Sequence, residues 1–223
     1  MAIPGSGLVF FAPDRLERSV WVVVDPRDFV ANQRMAVPVQ ARLKDVTAVP
    51  IAGLSGVYCF TDLGLPAGTY TAQVQPRLVD RARYFDGETE FALAVVPVPG
   101  QPLRRNPVAV ELLPRPAYPF TDQATLARGR LVTASDGSGV EGARVFLILE
   151  GVDLGRRGRT DERGEFVEFF PPPDPQDTAS DGLKDFTFRL RFEMDGQPPL
   201  LIADEIVREG TTISLGEIQF PGI

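Results

Sequence analysis

Residues 56–74 read Gly-Val-Tyr-Cys-Phe-Thr-Asp-Leu-Gly-Leu-Pro-Ala-Gly-Thr-Tyr-Thr-Ala-Gln-Val, and they restrict the possible folds more than any other stretch. Tyr70, Ala72 and Val74 alternate with Thr71, Gln73 and Gln75. A period of two places its apolar residues on one face only when the backbone is extended. Leu65-Pro66-Ala67-Gly68 sets Pro at i+1 and Gly at i+3, the positions a type I turn favours. The spacing predicts a strand, a tight turn and a second strand in a hairpin-like unit.

The same alternation runs along the whole chain. Leu8–Phe11 reads as a short first strand, and Val20-Trp21-Val22-Val23-Val24 as a strand apolar on both faces and stopped by Asp25-Pro26. Val37, Val39, Ala41 and Leu43 alternate with polar residues and with Pro38, which predicts an edge strand. Strands are expected at 90–95 and 108–113, flanking a proline-rich loop at 96–102. Further strands are expected at 126–133, 143–149, 165–170, 186–192, 200–207 and 211–220, with turns at Asp86-Gly87, 135–139, 160–164 and Asp195-Gly196. No segment has a helical period. With 21 Pro, 21 Gly and 43% hydrophobic residues, an all-β chain with many turns and a full core is expected.

The 223 residues suffice for two domains, each with its own core. Pro114, Pro116 and Pro119 mark a semi-rigid extended linker at 114–120, so residues 1–113 and 121–223 are expected to form two tandem β-sandwiches. The halves share an order of signals. Ala41-Arg42-Leu43 matches Ala143-Arg144-Val145, 56–60 matches 164–169, 70–74 matches 186–190, and Asp86-Gly87 matches Asp195-Gly196. Duplication accounts for that order. A polar, proline-rich insertion from Pro171 to Gly182 stands where the first half has only Pro66-Ala67-Gly68.

Gly129-Arg130-Leu131-Val132, Gly137, Val140 to Val145 and Thr160 to Phe166 resemble the carboxypeptidase regulatory-like family, as do 56–60 and the Leu-Pro-Ala-Gly-Thr-Tyr turn of the first half. The resemblance implies a transthyretin-like or immunoglobulin-like sandwich used as a spacer and interaction module. Modules of this kind decorate or cap bacterial phage-tail-like particles and contractile injection machines, so a place in such an assembly is what the resemblance implies.

The chemistry in the sequence points away from catalysis. There is no histidine, which removes Ser-His-Asp and Cys-His nucleophiles and histidine-ligated metals. It also separates the chain from transthyretin-like hydrolases and intradiol dioxygenases. The single cysteine, Cys59, permits no intramolecular disulfide and no thiolate zinc site, and reads as a buried small apolar strand residue. Asp136, Asp153, Asp161 and Glu162 are calcium candidates, with turn formation as the alternative. An isopeptide cross-link would need Lys44 or Lys184 to face a core Asn32 or Asn106. The expectation is a protein that is not an enzyme and carries no cofactor or metal.

Partner contacts are expected at Tyr118 and Phe120, at Pro171, Pro172 and Pro173, and at Arg156, Arg157 and Arg159. The arginines, read as a hairpin loop, could grip a phosphate or an acidic partner or could simply be solvated. A net charge of −7 argues against nucleic acid. No apolar run is long enough to span a membrane, and the N-terminus lacks a signal-peptide pattern. A cytoplasmic protein, or part of a particle assembled there, is therefore expected. It would dock on other proteins of an assembly, with homo-oligomerisation open. The alternative is a carbohydrate or cell-surface binding module, although the only tryptophan, Trp21, lies in an apolar strand.

Overall fold

The computed structural model describes residues 20–93, 107–172 and 182–221. The expected strand at 8–11, the loop at 96–102 and Pro173 lie outside them. In the first half the strands are β1 (Val20–Asp28), β2 (Gln33–Arg34), β3 (Val39–Leu43), β4 (Ile51–Ala52), β5 (Tyr58–Thr61), β6 (Gly68–Pro76), β7 (Gly87–Leu93) and β8 (Val108–Leu112). A short 3₁₀ turn, Leu78–Asp80, precedes β7. The second half holds β9 (Leu126–Thr133), β10 (Arg144–Leu149), β11 (Val152–Arg159), β12 (Glu165–Phe169), β13 (Asp185–Glu193), β14 (Leu200–Leu201), β15 (Glu205–Arg208) and β16 (Thr212–Phe220). The described chain is all-β.

Each half pairs its strands by the same plan. In the first, β1 lies antiparallel to β5 and parallel to β8, while β6 takes β3 and β7 as antiparallel neighbours. In the second, β9 lies antiparallel to β12 and parallel to β16, while β13 takes β10 and β15. The repeat seen in the sequence is thus a repeat of topology. Gly56 and Gly164 occupy equivalent left-handed positions (φ 79° and 78°) ahead of β5 and β12. A side chain on Gly164 would place its Cβ 2.2 Å from the Leu131 carbonyl, so only glycine fits there.

The two sheets of each half enclose their own core. Trp21, Val22, Val24, Leu43, Phe60, Val74 and Leu112 fill the first, and Phe166, Phe170, Phe186, Phe188, Leu190, Phe192 and Phe220 the second. Strand β13 alternates buried and exposed side chains along most of its length, which aims four apolar side chains inward. The rings of Phe166 and Phe192 meet edge-on at 5.0 Å, and those of Phe170 and Phe188 at 4.8 Å, near the geometry the ring quadrupoles prefer.

Several local expectations need correction. The strands at 58–61 and 68–76 form, but they do not pair as a hairpin. Strand β5 belongs to the sheet of β1 and β6 to the opposite sheet, so residues 62–67 cross between layers. Phe60 and Val74 thereby face the same core from opposite sides. Asp25-Pro26 does not stop β1, because β8 pairs in parallel along Val24–Asp28 and the buried Asp25 is held by Arg27 and Arg34. Residues 156–159 are not a loop but part of β11, which is laddered to β10. The expected strand at 200–207 is divided into β14 and β15. Cys59, expected to be buried, is only half-buried in β5, because Phe60 next to it takes the core-facing position.

Candidate functional site

Of the residues singled out by sequence, Tyr118, Phe120, Arg157 and Arg159 meet where the two halves join. The linker is not extended. Tyr118 N–H bonds back to the Arg115 carbonyl at 2.9 Å, a turn over Pro116-Ala117 that brings Tyr118 against the first half. Its hydroxyl donates to Asp28 Oδ2 at 2.8 Å, and the Tyr84 hydroxyl donates to the same oxygen at 2.7 Å. Asp28 Oδ1 accepts the backbone N–H groups of Val30 and Ala31 at 2.8 and 3.1 Å. Asp28, at the end of β1, is thus a buried acceptor with four donors around it. Burial, then the hydrogen bond and charge of Asp28, push the Tyr118 phenol up to about 12 and the Tyr84 phenol up further.

From this carboxylate an aromatic file runs into the second half. Tyr84 meets Tyr118 edge-on at 5.3 Å, Tyr118 meets Phe120 at 4.7 Å, and Phe120 stacks on Phe169 of β12 at 6.1 Å. Arginines bracket the file. Arg115 pairs with Glu162 at 2.6 Å and lies over the Phe85 ring at 4.8 Å. Arg128 of β9 donates to the Pro116 carbonyl at 2.7 Å and covers Phe120 at 5.7 Å. Planar, weakly hydrated guanidinium groups suit this stacking.

The three arginines of β11 divide between two environments. Arg157 sits over Phe29 of the first half at 4.9 Å and donates to Glu168 Oε1 at 3.2 Å and to the Phe169 carbonyl at 3.3 Å. Arg159 lies over Phe85 at 5.9 Å. Arg156 faces a cleft of about 720 Å³ between the halves. Its walls carry opposite charge, with Asp86, Glu88 and Glu111 on one side and Arg144, Arg156 and Arg159 on the other. Arg144 has its own counter-ion, Asp195, at 2.9 Å. Withdrawal from water at the cleft, then Arg159 and Arg144 nearby, lower the hold of Arg156 on its proton, and Glu88 opposes them. Of the arginines offered for a grip on an anion, the structure brings Arg156 and Arg159 to this cleft and turns Arg157 to Phe29 and Glu168.

Tyr118 and Phe120 are spent on contacts within the chain. Pro171 is half-buried and Pro172 exposed. The calcium candidates lie in three separate places, Asp136 on a turn, Asp153 in β11, and Asp161 and Glu162 side by side on the turn before β12, all with other bonds. Asp161 Oδ1 accepts Arg163 N–H and Glu165 N–H, Glu162 pairs with Arg115, Asp153 pairs with Arg191, and Asp136 is bonded by Thr133 and Ser138. The Thr133 hydroxyl, then Ser138, hold the Asp136 carboxyl down at about 2. No group of three potential ligands gathers among the described residues. Lys44 is exposed, and Lys184 pairs with Glu150 at 2.9 Å.

Glu168 is the site residue that sequence reasoning missed. It is fully buried on the core face of β12, between Phe166 and Phe170, and its Oε2 has no hydrogen-bond partner. Burial raises its pKa to about 8, against the opposing pull of Arg157. An acid at the inward position of an alternating Phe166, Glu168, Phe170 pattern is the signal that could have found it.

No protein-family model and no curated protein matches the chain. Among solved structures it is similar to the Bacillus anthracis TIE protein, at 14% identity and a TM-score of 0.28 over 90% of this chain and 34% of that one. It is also similar to BcpA, the major pilin subunit of Bacillus cereus, at 13% and 0.26 over 91% of this chain and 59% of that one. A third is a streptococcal ancillary pilin, at 12% and 0.29 over 89% and 68%. The chain spans about a third of the first of these and three-fifths of the second.

Proposed function

We propose that the protein is a non-catalytic structural component, two β-sandwiches held at a set angle and docked on other proteins of a larger assembly. The observation that carries this reading is the junction. A buried carboxylate with four donors, an aromatic file and stacked arginines join the halves where a hinge would need free backbone. A duplicated module with a stiff joint is a spacer, and the carboxylates that could have served chemistry are engaged in turns and ion pairs. The resemblance to carboxypeptidase regulatory-like modules supports a bacterial particle of the phage-tail-like, contractile kind as the assembly, put together in the cytoplasm. A sugar-binding role has less support, because Trp21 is buried at 7% exposure in the first core.

The test is an affinity pull-down of the tagged chain from its native host, with negative-stain microscopy of the eluate. Stoichiometric partners in a discrete particle are expected. A monodisperse chain eluting alone under mild salt would overturn the reading.

A further inference from the structure

We infer that the cleft between the halves receives an extended segment of a partner polypeptide, one that carries a basic side chain close to an acidic one. This rests on the docking role proposed above. Two independent features point to it. The first is the pairing of opposite charges across an open space. Among the described residues Arg156 has no ion pair, and it is crowded by Arg159 and Arg144, with Glu88 as the opposing charge. Asp86 and Glu88 accept from the side-chain amides of Gln75 and Gln73, at 2.9 and 2.6 Å, and among the described residues neither is held in an ion pair. A simple anion would be drawn to one wall and repelled by the other. A ligand with both signs satisfies both walls at once.

The second feature selects a polypeptide among mixed-charge ligands. Gly87, Glu88 and Thr89 of β7 line one wall and Arg156 and Arg159 of β11 the other. Among the described residues both strands are terminal in their sheets, β7 beyond β6 and β11 beyond β10. Terminal strands present unpaired backbone N–H and C=O groups, the donors and acceptors to which an added strand binds. At about 720 Å³ the cleft lies within the size range of specific ligand sites. The Tyr118–Asp28 bond and the Arg115–Glu162 pair hold the linker side of the cleft, and across it Glu88 offsets only part of the crowding of Arg156 by Arg159 and Arg144.

The experiment measures fluorescence anisotropy of the full chain at low salt with four labelled nine-residue peptides. One alternates Lys and Glu, one carries only Glu and Gly, one only Lys and Gly, and one only Ser and Gly. The mixed-charge peptide is expected to bind at least tenfold more tightly than the others and to be released at high salt. Arg156→Ala and Glu88→Gln, both exposed positions whose melting should stay unchanged, are each expected to weaken it at least fivefold. Equal binding of the all-Glu peptide, no binding of any peptide, or unchanged binding by both variants would overturn the inference. So would a salt-sensitive contraction of the free chain in small-angle scattering that Arg156→Ala abolishes, since the walls would then occupy each other. The pull-down separates the two readings. A partner kept by wild type and lost by the Arg156→Ala/Glu88→Gln pair supports the cleft, while a partner kept by both leaves the docking role standing and overturns the cleft.

Discussion

Replacing Glu168 by Gln should make the protein more stable at neutral pH, by an amount that grows with pH. Burial raises the carboxyl from about 4.5 when unfolded to about 8 when folded. Between those values the unfolded state has released a proton that the folded state keeps, so stability falls as pH rises and levels off above about 8. Each pH unit in that window costs about 1.4 kcal/mol, or about 3 kcal/mol by pH 7. Glutamine has the shape of the protonated acid and can still accept from Arg157 Nε, but its amide N–H₂ inherits the unpartnered position at Oε2, a cost of about 1 kcal/mol. The net expectation is a gain of about 2 kcal/mol at pH 7, or about 6 °C in Tm, shrinking to nothing near pH 5. Paired thermal melts of wild type and Glu168→Gln from pH 5 to 9 measure this directly, because every other titrating group cancels in the difference. A gap that does not change with pH, or a variant less stable at pH 8, would refute the reasoning.

Tyr118→Phe removes one donor from Asp28 and should destabilise by about 1–2 kcal/mol, and the double variant with Tyr84→Phe should cost more than the sum, because only then is the shared buried oxygen left without either phenol. Calorimetry should show it as earlier and separate melting of the halves; one unbroken transition at the wild-type temperature would count against the junction. Gly164→Ala should lose about 2 kcal/mol or more, read as a lower denaturant midpoint, because of its positive φ and the close approach of Leu131 O. Phe166→Ala in the second core should cost about 3–5 kcal/mol by chemical denaturation.

The fold was readable wherever alternation was strong. Phe186 to Phe192 and Val39 to Leu43 announce their buried faces, and the matching order of signals in the two halves corresponds to matching strand pairings. What alternation cannot encode is the partner of a strand. Residues 58–74 look like a hairpin because a short turn joins two strands, yet the partners are chosen by which faces complete the core. Strand β11 was invisible because Val152 to Arg159 is mostly polar or Gly; its strand state comes from β10, with bulges near Gly155. At the candidate site, Tyr118 and Phe120 were found as packing residues, but Asp28, Tyr84 and Phe29 come from distant segments and meet the linker only in three dimensions.

The parallel pairing of β8 with β1, and of β16 with β9, has a mechanical consequence. In each half the first and last described strands run in the same direction, so among the described residues the chain starts at one pole and finishes at the other. A pull on the two ends slides these strands along each other and loads all the rungs from Val24↔Val108 to Asp28↔Leu112 together, rather than peeling them one by one. Under tension, each half is built to be sheared, not unzipped.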